Sequence, residues 1–124
     1  MNTLIIHETS ETPELIFNPT DARFSITGKS LPEDAYEFYS KANEWMETYI
    51  DNANEQTIFD VRLKYLNSSS SKEIYNILAA LEDIQDKGKK VKINWYYKNG
   101  DELMKDKGEE FNEFIEVPFE LIVE

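Results

Sequence analysis

The sequence has no cysteine, a single histidine and only four glycines. Without cysteine there is no disulfide framework, no thiolate metal site and no thiol nucleophile, a composition suited to a reducing cytoplasm. With His7 as the lone imidazole, a metal site would need carboxylates alone, and a Ser-His-Asp triad would rest wholly on that residue. Gly28, Gly88, Gly100 and Gly108 are too scattered for a phosphate-cradling loop or a dinucleotide fingerprint. Basic residues are also scarce: 13 Lys and Arg against 25 Asp and Glu leave a net charge of −12. A surface that negative repels phosphate backbones and anionic lipid, so neither nucleic acid nor membrane is an expected partner. Apolar runs last only a few residues and none spans a bilayer; Met1 to His7 offers neither a basic leader nor a signal-length apolar stretch. The expectation is a soluble cytoplasmic protein without metal or cofactor.

What is present suffices for one core. Hydrophobic residues make up 40% of 124 positions, aromatics 13%. Two independent cores would leave each half only about 60 residues, so residues 1–124 read as a single domain. Leu4 to His7 predicts a short strand, and residues 14–27 a hairpin turning at Pro19, Thr20 and Asp21. Pro32, with Glu33 and Asp34 behind it, predicts a helix start, and Ala35, Phe38, Ala42, Trp45 and Tyr49 its apolar stripe. Residues 57–66 and 90–97 alternate as strands. Between them Ile74, Ile77, Leu78, Leu81 and Ile84 mark a helix ending at Gly88. A third helix is expected over 101–114 with Leu103, Phe111 and Phe114 inward, and a closing strand over 117–123. Strand, helix, strand implies a right-handed crossover and a parallel pair. Parallel strands covered on both faces would be apolar throughout, and these are not. The predicted fold is therefore α/β: a two-layer sandwich of order β-β-β-α-β-α-β-α-β, with helices mainly on one face of a mixed sheet. Asp60, Arg62, Lys92 and Asn94 belong to the wetter face.

Few residues suggest chemistry. Glu109, Glu110, Glu113 and Glu116 offer a carboxylate pair for a small enzyme, but nothing signals an apolar pocket around them, and a solvated helix face explains them. Asp51 to Glu55 lacks the glycine of a calcium loop and has Ala53 at a ligand position. The segment that stands apart is Tyr65-Leu66-Asn67-Ser68-Ser69-Ser70-Ser71-Lys72, at the carboxyl end of a predicted parallel strand, the edge where α/β proteins place their sites. Ser70 with Glu73 fits a capping box, and Ser69 is an alternative cap. One cap needs one serine and there are four. Hydroxyls before a helix start also accept phosphate well, so capping alone and a phosphoswitch both remain open on spacing.

From Phe59 to Lys72 the sequence resembles the SiaC family of bacterial regulatory phosphoproteins. The likeness extends to Thr12-Pro13, Gly28, Pro32-Glu33, Tyr36-Glu37, Trp45, Gly88, Trp95-Tyr96-Tyr97, Glu109-Glu110-Phe111 and Pro118-Phe119. More distantly, strand-Asn67-Ser68-Ser69-helix is similar to the turn of STAS-domain anti-sigma-factor antagonists, which implies a STAS-like fold and leaves that activity as an alternative. The SiaC resemblance implies a non-enzymatic partner switch. A Ser/Thr protein kinase phosphorylates the hydroxyl after the Asn, a PP2C-type phosphatase removes the phosphate, and the unmodified form binds an effector such as a diguanylate cyclase. Carried over, the acceptor is Ser68, with Ser69 as the alternative. Serine stands here where the family is expected to have threonine, and Ser71 where an apolar residue is common. The implied partner-binding residues are Tyr65, Leu66, Asn67, Ser69, Ser70 and Tyr75.

Overall fold

Period-two alternation forms the strands and period-3.6 stripes the helices of this chain, whose computed structural model describes residues 1–124. In chain order they are β1 (Leu4–Ile6), β2 (Glu14–Asn18), β3 (Arg23–Ser30), α1 (Ala35–Asp51), β4 (Gln56–Leu66), α2 (Ser68–Asp86), β5 (Lys90–Tyr97), α3 (Glu102–Phe114) and β6 (Phe119–Val123). The six strands form one sheet in sequence order. The first three meander antiparallel; β3, β4, β5 and β6 run parallel. Each parallel step moves one strand in the same direction through a helical crossover. Right-handed crossovers of that kind put every helix on the same face. The predicted order and two-layer arrangement are the observed ones.

The helix-covered face of the sheet is apolar. Leu15, Phe17, Phe24, Ile26, Phe59, Val61, Ile93 and Trp95 are fully buried there, against Tyr39, Met46, Ile74, Ile77, Leu78 and Leu81 from the helices. Aromatic edges lock the left half, with Phe24 4.8 Å from Tyr49 and 5.1 Å from Trp45. The opposite face carries a polar ladder instead. Lys92 pairs with Glu120 and Arg62 with Glu124, each at 2.7 Å. The Glu124 hydrogen bond raises the pKa of Arg62 further. Asp60 and Asn94 belong to this face as predicted, yet both are buried. Arg23 donates to Asp60 across the strands at 3.0 Å, Asn94 donates to its other oxygen at 3.0 Å, and no helix is needed to cover them.

Three predicted details are corrected. Helix α1 starts at Ala35, after an Asp34 cap whose carboxylate accepts from the Glu37 N–H at 3.0 Å; Pro32 lies in the preceding loop. Its inward line runs through Tyr39 and Met46, while Phe38 and Trp45 sit at the border, the Trp45 indole donating to the Asn2 carbonyl. Helix α3 is rotated from the predicted stripe: Met104, Gly108 and Phe111 face inward, and Leu103 and Phe114 are exposed. Trp95 sets that rotation. Its indole N–H donates to the Met104 carbonyl at 3.0 Å and its ring packs directly against the glycine. The closing strand begins at Phe119 rather than at residue 117, and forms the sheet's edge beside β5. No helix is long and apolar enough to cross a membrane.

A Cβ at Gly108 would lie 2.6 Å from Trp95 Cδ1 and 2.7 Å from its Nε1. Alanine favours helix by about 1 kcal/mol over glycine, whereas overpacking costs about 1–3 kcal/mol, and this neighbour is a fully buried ring. Gly108→Ala should therefore lower stability by up to about 2 kcal/mol in urea denaturation. A stabilised variant would show that α3 does not press on Trp95.

Candidate functional site

β4 delivers the chain to the sheet's carboxyl edge, where α2 begins at once. The cap is Asn67: its side-chain oxygen accepts from the Ser70 N–H at 2.9 Å, and its carbonyl accepts from Ser71 N at 2.9 Å. This corrects the expected cap at Ser69 or Ser70. Asn competes well for that position because its short amide reaches the third N–H of the helix, and here it removes the need for a serine cap.

With the cap assigned, the four serines separate by environment. Ser70 is fully buried. Its hydroxyl donates to the Ser30 carbonyl at 3.1 Å and accepts from the Ser30 hydroxyl at 2.8 Å, which in turn meets the Tyr39 hydroxyl at 2.6 Å. Ser70 therefore cannot reach a partner and is removed from the expected binding residues. Burial raises the Tyr39 phenol well above its usual range, with nearby Glu73 adding to the shift, so this hydroxyl stays a neutral donor. Ser69 is exposed, but its hydroxyl is turned onto Asn67 Oδ1 at 3.2 Å. Ser71 is half-buried beside the first turn. Ser68 is exposed at the first helical position, and no hydrogen bond of the chain ties its hydroxyl.

The backbone beneath Ser68 is fixed. Asn67 N–H donates to the Ser30 carbonyl at 3.1 Å, so β3 holds both the cap and the buried Ser70. Helix starts leave their first N–H groups without intrahelical acceptors, and Ser68 and Ser69 carry two of these. A phosphate on Ser68 would face those donors and the positive end of the helix dipole. Among the remaining predicted residues, Tyr65 is exposed, Leu66 half-buried against the core, and Tyr75 half-buried with its ring 6.0 Å from Phe111. They surround Ser68 in two shallow clefts shared with α3. Sequence reading missed the contribution of α3, Lys107, Glu110 and Phe114, because its inward face was misassigned.

The residues considered for other chemistry are dispersed. His7 is exposed beyond β1, and Glu109, Glu110, Glu113 and Glu116 are all exposed. No three His, Asp or Glu side chains are grouped to hold a metal ion.

Comparison with known proteins matches this arrangement to one family. The family model described as SiaC family regulatory phosphoprotein matches residues 6–124. An uncharacterized protein of Pseudomonas aeruginosa (strain UCBPP-PA14) is 34% identical over 119 residues, covering 96% of this chain and 94% of that one. Two solved structures superpose over nearly the full length. SiaC of Pseudomonas aeruginosa has a TM-score of 0.92 at 31% identity, covering 100% of both chains. SiaC solved in complex with the diguanylate cyclase SiaD, of which it is the activator, has a TM-score of 0.91 at 32% identity, covering 98% of this chain and 99% of that one.

The assignment of the cap predicts an order of stability losses. Asn67→Ala removes the cap and should cost about 1 kcal/mol. Ser70→Ala breaks up a buried hydroxyl network and should cost about 1–3 kcal/mol. Ser68→Ala should change stability by less than about 0.5 kcal/mol, since its hydroxyl has no partner to lose. Urea unfolding of the three variants checks the order; a Ser68→Ala loss as large as that of Asn67→Ala would contradict it.

Proposed function

This chain belongs to the SiaC family, and we propose that it is a non-enzymatic regulator whose binding to a diguanylate cyclase is switched by phosphorylation of Ser68. The observation that carries the reading is the sorting of the serine run. Ser70 is buried and Ser69 is engaged with the cap, while Ser68 presents an untied hydroxyl on a rigid turn. A kinase needs such an accessible hydroxyl. A switch also needs the phosphate to fall on a surface that a partner covers, and Tyr65 and Phe114 beside it are large exposed side chains. The complex between the Pseudomonas aeruginosa relative and its cyclase supplies the partner class.

The cycle follows from electrostatics. A Ser/Thr protein kinase adds roughly −1.5 to −2 charges at Ser68, and a PP2C-type phosphatase removes them. A docked partner would have to desolvate that dianion or leave it opposite its own acidic groups. A difference of about 3 kcal/mol between the two forms changes affinity more than a hundredfold, enough to release the cyclase. Serine in place of the family's expected threonine keeps the hydroxyl and drops a methyl.

Ser68→Ala should block phosphate incorporation by the cognate kinase and keep cyclase turnover high when kinase and ATP are present, whereas the unsubstituted protein loses activation. Ser68→Asp should reduce activation only partly, because a carboxylate supplies one charge and two acceptor oxygens. Phosphosite mapping by mass spectrometry accompanies the assay. Phosphate found only at residues other than Ser68 would contradict the reading.

A further inference from the structure

Resting on the reading of Ser68 as the modified residue, we propose that Lys107 of α3 is the cation that receives its phosphate, leaving Glu110 to do so, with Lys72 of α2 as the second charge. Ser68 and Ser71 line two adjoining clefts. One contains Lys107 and Tyr65; the other contains Lys72, Glu110 and Phe114. Ser68 therefore stands where the end of β4, the start of α2 and the outer side of α3 meet.

Lys107 is now paired with Glu110 one turn along the helix, Nζ to Oε2 at 3.5 Å, and Glu110 is largely exposed. Exposed pairs of this spacing are weak. A phosphate carries up to twice the charge of a carboxylate and makes shorter, stronger charge-assisted hydrogen bonds. It attracts Lys107 and repels Glu110, and both forces act to exchange one pair for the other. Of the other charges near the turn, Lys29 of β3 is exposed in register with Tyr65 and lines neither cleft. Lys64 lies on the open sheet face beside Arg62, and Glu73 faces the α1–α2 groove and Tyr39. Helix α3 is suited to respond, because it buries only Met104, Gly108 and Phe111. The phosphate therefore adds negative charge and also rearranges the pairing beside Tyr65 and Phe114.

The test uses the full chain carrying genetically encoded phosphoserine at position 68, followed by phosphorus NMR against pH. A phosphoserine loses its second proton near pH 6. A nearby cation favours the dianion and lowers that value; a nearby anion raises it. Lys107→Ala should therefore raise the phosphoserine pKa by about half a unit, and Glu110→Gln should lower it by a smaller amount. Lys87→Ala, remote from the clefts, should leave it unchanged. An unmoved titration in Lys107→Ala, or a shift seen only in Lys72→Ala, overturns the proposal. The phosphate is installed without kinase and read without cyclase. A failed Lys107 contact thus shows as an unmoved titration, and a failed switch as cyclase binding indifferent to the phosphate.

Discussion

The carbonyl oxygen of Ser30, last residue of β3, accepts from the Asn67 N–H and from the Ser70 hydroxyl, and the placement of Ser68 depends on those two bonds. They tie the start of α2 to a strand that precedes it by some forty positions. The Ser30 hydroxyl extends the tie to Tyr39 on α1. Because the donors and acceptors are buried, breaking one would strand the others, which makes the arrangement stiff. Ser68, between the two tethered residues Asn67 and Ser70, faces water. Its hydroxyl takes no part in the knot.

The wider fold serves the same end. Three successive right-handed crossovers bring the starts of α2 and α3 and the ends of β3, β4 and β5 to one edge of the sheet. Layer chemistry follows from that connectivity. The helix-covered face is apolar except at Ser30 and Thr57, whose hydroxyls pair with tyrosines of α1, and the opposite face is held by Arg23–Asp60, Lys92–Glu120 and Arg62–Glu124. Those pairs hold three of the 13 basic residues, and Lys72 and Lys107 are the lysines lining the clefts at the serine run.

Element order, sheet composition and the one-sided helix layer were legible in the sequence because they rest on periodicity, which is local. Phe59, Val61 and Leu63 alternate without ambiguity, and Ile74, Ile77, Leu78 and Leu81 admit one helix face. Segment 65–72 stood out through its position after a strand and its likeness to a family, and the structure places it at the end of β4 and the start of α2. What failed was set by contacts distant in sequence. Met104 faces inward and Leu103 outward because Trp95 bonds the Met104 carbonyl and presses on Gly108, and no spacing within α3 records that. Asn67 caps α2 in place of a serine because Ser70 is drawn inward by Ser30, a residue on another strand. Asp60 and Asn94 are buried on the open face because Arg23 reaches across to Asp60 and Asn94 donates to its other oxygen.

The central claim is that one phosphate on Ser68 decides whether the partner binds. Isothermal titration calorimetry of a purified diguanylate cyclase with the unmodified chain, and with the chain bearing phosphoserine at position 68, tests it most directly. The account predicts tight, saturable binding for the unmodified chain and affinity reduced by a hundredfold or more for the phosphorylated one. Equal affinities for the two forms would contradict it.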